Sequence, residues 1–169
     1  MFRPLGLEQT SLGAEDRGAS NNLRAYILVN EERVDVTQAE YLIGSPAGGV
    51  VSTTEDVNDF YRGLLAGGLL SPSTLEEMKA VGSIEYGLGL TRWPDGCSST
   101  GYLYGHVGGV YGYRTVSMAS DDGDRQITLA MALPTLPAKV GDPVTSLRIE
   151  RYGSQMELAA RKALDQLCA

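Results

Sequence analysis

The residues best suited to chemistry lie in one short segment, Tyr104-Gly105-His106-Val107-Gly108-Gly109-Val110-Tyr111-Gly112-Tyr113. It holds the one histidine of the chain. An imidazole can carry a proton near neutral pH or donate a hydrogen bond to an anion. Glycines leave the N–H groups of a strand edge open to a ligand lying along it. Two readings fit these residues. In one, His106 faces a ligand across a glycine-lined edge. In the other, the glycines serve a hairpin turn and His106 is a half-exposed side chain without a role.

Other candidates are weaker. Cys97, Cys168 and His106 lack the spacing of a zinc site, and no metal or cofactor is expected. Asp121, Asp122 and Asp124 lack the spacing and closing Glu of a calcium loop and read as a solvated turn. Trp93, beside Pro94, reads as a half-buried anchor. Tyr102, Tyr104, Tyr111 and Tyr113 form either a cleft wall or part of the core.

The elements that must position this segment are helices followed by a meander. Thr53-Thr54-Glu55-Asp56 caps a helix whose apolar face is Val57, Phe60, Tyr61, Leu64 and Leu65, ended by Gly67-Gly68. Ser71-Pro72 opens a second helix, to about Lys79. Strands are expected over 86–92, 102–107, 113–119 and 126–133, with Asp121-Asp122-Gly123-Asp124 as a hairpin turn. In the last of these strands Ile127, Leu129, Met131 and Leu133 share one face, and a helix is expected on the small-residue face of Thr128, Ala130 and Ala132. A closing helix is expected from Ser154, with Met156, Ala159, Ala160, Ala163, Leu164 and Leu167 inward. Upstream, residues 25–29 read as a strand, 31–40 as an exposed polar stretch and 44–50 as a loop. The fold class is therefore α+β: an antiparallel β-meander with a closing C-terminal helix and two shorter helices.

Composition agrees with that class. The chain has 169 residues, enough for one ordinary domain. A net charge of −7 argues against nucleic acid as a partner, since such binding rests on neutralising phosphates. No apolar run is long enough for a membrane span, and residues 1–4 hold no apolar core of signal-peptide length, so no export signal is expected in these residues.

Several motifs stand in a familiar order. Met1-Phe2-Arg3-Pro4-Leu5-Gly6-Leu7, Val51-Ser52-Thr53-Thr54-Glu55-Asp56, Tyr86-Gly87-Leu88-Gly89-Leu90, Tyr104-Gly105-His106-Val107-Gly108 and Gly112-Tyr113 together resemble the C-terminal half of the penicillin-recognising serine hydrolases. The likeness is to the secreted D-alanyl-D-alanine carboxypeptidases of actinomycetes and their class C β-lactamase-related relatives, and it runs along essentially the whole chain. It implies a partial β-lactamase/transpeptidase-like fold over residues 1–169. It also implies a hydrolase acting through an acyl-enzyme on an amide or ester in a small-molecule or peptide substrate. The carboxypeptidase, β-lactamase and esterase types stay open.

That family uses a Ser-x-x-Lys pair, a Tyr-x-Asn or Ser-x-Asn loop and a Lys-Thr-Gly or His-Thr-Gly strand. No serine here is followed three residues on by lysine, and no tyrosine by asparagine two residues on. The third motif is present, as His106-Val107-Gly108. The resemblance gives His106 a catalytic role and makes Val107, Gly108 and Gly109 substrate-binding, with the Gly109 N–H as one oxyanion donor. In the carboxypeptidase form, threonines stand where Val107 and Gly109 are, and their hydroxyls hold a terminal carboxylate. The nucleophile is expected in an N-terminal half that this chain lacks, leaving the chain inert alone and the apolar helix face at 57–65 and the face of the first strand exposed. The alternative is a non-catalytic accessory domain binding along the glycine-rich edge. The resemblance also implies a Cys97–Cys168 disulfide, and with it an extracellular or cell-envelope parent.

Overall fold

The computed structural model describes residues 3–12, 22–37, 48–110, 112–135 and 143–168. Expectations for Tyr111 and for residues 44–47, Ser45 included, fall outside them. A 3₁₀ turn at Arg3–Leu5 precedes β1 (Ser11–Leu12), β2 (Tyr26–Val29), β3 (Glu32–Asp35) and β4 (Val50–Val51). Helices α1 (Thr54–Leu65) and α2 (Pro72–Lys79) follow. Then come β5 (Thr91–Pro94), β6 (Tyr102–Val110), β7 (Tyr113–Ser120), β8 (Gln126–Ala132) and α3 (Pro143–Asp165).

Strands β5-β6-β7-β8 form one antiparallel sheet in chain order, the expected meander. It lies between helices. On one face Tyr61, Leu64 and Leu65 of α1 and Leu75 of α2 bury against Leu90, Tyr104 and Ala119. On the other, Met156, Ala160 and Leu164 of α3 bury against Trp93, Leu103, Val116 and Met118. Strand β8 divides as its alternation requires. Ile127, Leu129 and Met131 pack on the α3 side, and Thr128 Oγ1 donates to Asn58 Oδ1 of α1 at 2.7 Å.

The helix starts follow their capping residues. Thr53 Oγ1 accepts from Asp56 N at 3.1 Å, and Ser71 accepts from Thr74 N at 3.3 Å with Pro72 in the first turn. Asp56 also ties the N-terminal segment down. Its buried carboxylate accepts from Gln9 N at 2.9 Å and Thr10 Oγ1 at 2.7 Å. The segment just after the Met1–Leu7 motif is thus joined, across more than forty residues of sequence, to the carboxylate of the 51–56 motif.

Five expectations change. Helix α3 begins at Pro143, not Ser154; Ser146, Leu147, Arg148 and Glu150 are exposed, so this stretch offers no buried apolar period to read, and Ser154 Oγ bonds back to the Glu150 carbonyl at 3.1 Å. Of the residues expected inward, Ala159 of α3 is exposed, and Leu167, also exposed, lies past the end of α3. Residues 86–90 are not strand: Gly89 has φ of 81°, and Leu88 N donates to Met78 O at 3.0 Å, coiling the chain against the end of α2. The polar stretch after Val29 contains β3, paired with β2 through a turn at Asn30 and Glu31, both at positive φ. Last, the apolar face of α1 is covered by this chain's own sheet. Exposed large apolar side chains lie instead at Leu12 and Val50, on the β2–β3 hairpin and around Ile84 and Leu88.

Cys97 and Cys168 form a disulfide with Cα atoms 5.5 Å apart, joining the β5–β6 turn to the end of α3. Asp95 organises the same corner. It accepts from Cys97 N at 3.0 Å and from Arg125 Nη2 at 2.6 Å. Burial pushes the Asp95 carboxyl up, but the Cys97 N–H and the Arg125 guanidinium outweigh it and hold the group below the usual carboxylate range. The bridge closes a 71-residue separation, for which loop entropy gives up to about 4 kcal/mol. Cys97→Ser with Cys168→Ser should lower the urea-unfolding free energy by about 2–4 kcal/mol with the sheet retained; an unchanged midpoint would show that the bridge does not constrain the unfolded chain.

Candidate active site

Backbone pairing decides what the His106 segment presents. In an antiparallel ladder, alternate residues of a strand bond to opposite neighbours. Ser120 N donates to Arg125 O and Leu133 N to Gly112 O, each at 2.8 Å, so even-numbered residues of β7 face β8. Its odd-numbered residues Tyr113, Thr115 and Ser117 therefore face β6, opposite Val110, Gly108 and His106. The peptide groups of Val107 and Gly109 point the other way, toward β5.

Strand β5 does not reach them. Its pairing with β6 runs from Pro94↔Tyr102 to Thr91↔Gly105 and stops. Beyond Gly105 the N–H and C=O groups of Val107 and Gly109 have no strand partner among the described residues. The result is a short open edge next to a histidine.

The side chains divide between the two faces of the sheet. His106 shares the face of Tyr104, is exposed, and sits within 3.1 Å (Nε2) of the Tyr86 hydroxyl, with the two rings edge to face at 5.6 Å. Val107 turns its side chain to the opposite face, against the α3 cluster, and offers only its backbone to the edge. Gly108 and Gly109 are small because their cross-strand partners cover them. A Cβ on Gly108 would overlap Thr115 Oγ1, and one on Gly109 would overlap the Arg114 guanidinium. Arg114 lines a 330 Å³ cleft with Val107, Glu150 and Glu157, and its buried Nε has no partner among the described residues.

The other sequence candidates are structural. Trp93 is buried and donates to Glu157 Oε2 at 2.9 Å. Asp121 pairs with the buried Lys79 at 2.5 Å, and Asp122 accepts from Asp124 N at 3.0 Å. Tyr104 is core, and Tyr113 donates to Leu23 O at 2.8 Å. Asp95, Cys97 and Asp165 place ligand atoms within 4.8 Å of one another, but Cys97 is in the disulfide and Asp95 is held by Arg125. Ser52 Oγ lies 2.7 Å from Thr10 Oγ1 and donates to Thr53 O, with no basic side chain among its hydrogen-bond partners. Among the described residues no helix is long and apolar enough to cross a membrane. Missing from the sequence reading were the Tyr86–His106 pair and the Arg114 cover over Gly109. Both join residues through the register of the sheet or a loop, which no local pattern records.

A family model described as Beta-lactamase matches residues 1–147. The chain belongs to the β-lactamase family. Among solved structures it is similar to a D-stereospecific amidohydrolase from Streptomyces sp., at 29% identity and a TM-score of 0.66, over 78% of this chain and 41% of that one. It is also similar to the D-amino acid amidase from Ochrobactrum anthropi SV3 complexed with L-phenylalanine amide, at 25% identity and a TM-score of 0.60, over 78% of this chain and 41% of that one. A penicillin binding protein from Bacillus halodurans shares the fold at 17% identity, with a TM-score of 0.60 over 88% of this chain and 46% of that one. The chain thus spans under half the length of these proteins, and what it carries is a partial β-lactamase-like fold.

The glycines of this β-lactamase-family strand should differ sharply in tolerance. A Cβ on Gly105 would overlap the Ser117 carbonyl, which belongs to the sheet backbone and cannot move away; on Gly109 it meets only the flexible end of Arg114. Gly105→Ala should cost about 3 kcal/mol or more in chemical denaturation, and Gly109→Ala under about 1 kcal/mol. Equal losses would mean that the β6–β7 register is wrong.

Proposed function

We propose that this chain is the strand-edge part of a serine hydrolase working through an acyl-enzyme, with its nucleophile supplied by a segment outside this sequence. The observation that carries the reading is the open edge at Val107 and Gly109 beside His106. An acyl group lying along that edge would find the Gly109 N–H as a donor for the developing oxyanion. His106 would donate to or exchange a proton with the substrate from the same side. In the complete site a serine Oγ would attack the carbonyl carbon, passing its proton to a neighbouring base. The amine or alcohol would leave with a proton, and water would then release the acyl group.

The substrate class follows from what the edge lacks. Val107 and Gly109 carry no hydroxyl to hold a terminal carboxylate. An uncharged amide fits such an edge better than a peptide carboxylate does. The similarity to a D-stereospecific amidohydrolase and a D-amino acid amidase supports an amide of a D-configured residue. The Cys97–Cys168 bridge supports an exported parent, because such bridges persist in oxidising compartments.

Intact-mass spectrometry checks the reading in two steps. Incubated with excess benzylpenicillin, the 169-residue chain should gain no covalent adduct, and with D-phenylalanine amide it should release no ammonia. Extended by the coding sequence immediately upstream, it should contain a Ser-x-x-Lys pair and gain one acyl group on that serine. An adduct on the chain alone would make one of its own serines a nucleophile. An upstream sequence without the pair would favour the accessory-domain alternative.

A further inference from the structure

We infer that Tyr86 is a positioning residue for His106: its phenol donates to Nε2 and holds the neutral imidazole in the Nδ1–H form. The ring then meets a ligand on the β6 edge as a hydrogen-bond donor and not as a base. The inference rests on the reading of that edge as the substrate side.

Both partners are fixed by backbone. His106 lies within the β6–β7 ladder opposite Ser117. Tyr86 forms an antiparallel bridge with Thr91, and the next pair outward is closed twice, by Arg92 N to Glu85 O at 2.9 Å and Arg92 Nε to Glu85 Oε2 at 2.7 Å. The strap carrying Tyr86 is therefore pinned to the start of β5, beside the point where the open edge begins. The 3.1 Å contact and the edge-to-face ring packing at 69° follow from an anchored strand and an anchored strap.

The direction of the hydrogen bond follows from acidity. A phenol O–H is a far stronger acid than a neutral imidazole N–H, and an imidazole nitrogen lone pair is far more basic than a phenol oxygen. The favoured arrangement is O–H···Nε2. With Nε2 accepting, the ring proton must reside on Nδ1, its only other hydrogen-bonding atom. A solvated histidine prefers the opposite tautomer, so the hydroxyl of Tyr86 reverses the ring's default.

Nitrogen-15 spectra of the imidazole test this directly, since the chain has a single histidine and the signals need no assignment. At a pH where the ring is neutral, the wild-type chain should show Nδ1 protonated and Nε2 unprotonated as the major form. Tyr86→Phe keeps the ring packing and removes the hydroxyl. It should move the tautomer ratio toward Nε2–H by roughly two- to ten-fold, the range one net hydrogen bond supplies, with the backbone amide spectrum otherwise unchanged. A wild-type ring already in the Nε2–H form would overturn the inference without recourse to any variant, and so would a ratio indifferent to Tyr86→Phe. Neither result touches the acyl-enzyme reading, which stands or falls on the benzylpenicillin adduct.

Discussion

Strand β5 is too short for its neighbour, and the site depends on that mismatch. Were it to continue upstream of Thr91 in register, it would pair with Val107 and Gly109 and consume the peptide groups that the proposed site would offer a ligand. It stops because Gly89 turns the chain at positive φ and Leu88 bonds to the last turn of α2. Gly87 allows this close passage: a side chain there would overlap the Met78 and Ala80 carbonyls. A sheet edge left unpaired is ordinarily a liability for aggregation. Here it is only a few residues long and flanked by Tyr86 and His106.

The surrounding structure holds that edge still. Both faces of β6 are backed, by α1 and α2 through Tyr104 and by α3 through Leu103 and Val107. The far end of the β5–β6 hairpin is fixed by the disulfide and by Asp95, which binds the Cys97 N–H and the Arg125 guanidinium while Arg125 also donates to Leu164 O at 3.3 Å. The N-terminal segment is fixed to α1 through Asp56. Strand, helix end and terminus are each held by a polar group whose partners lie elsewhere in the chain. Such a frame can present donors at set positions before a ligand arrives, which is what electrostatic stabilisation of an oxyanion requires.

Much of this frame was legible in the sequence, and the exceptions have physical causes. Helices α1 and α2 announce themselves through Thr53, Ser71 and Pro72, because capping is a local interaction. Strands β6, β7 and β8 show in their alternation and in the Asp-Gly turn. The start of α3 did not show, since Ser146, Leu147, Arg148 and Glu150 are exposed and give no buried apolar period. Residues 86–90 alternate like a strand yet coil back on α2, a tertiary contact that outweighs a pattern built largely on glycine. His106 and its glycines stood out by type, but the opening of the edge, the face taken by Val107 and the partnership with Tyr86 depend on register. Register is set by pairing across the sheet, and a single strand does not encode its partner.

The open edge is most directly tested by amide hydrogen exchange, residue by residue, along β6. The account predicts alternation beyond Gly105. The N–H groups of His106 and Gly108, paired with β7, should be protected together with those of Leu103 and Gly105, paired with β5, while those of Val107 and Gly109 exchange at least about a hundred-fold faster. Uniform protection from Leu103 to Gly109 would mean that another segment closes the edge, and no ligand could then use the Gly109 N–H.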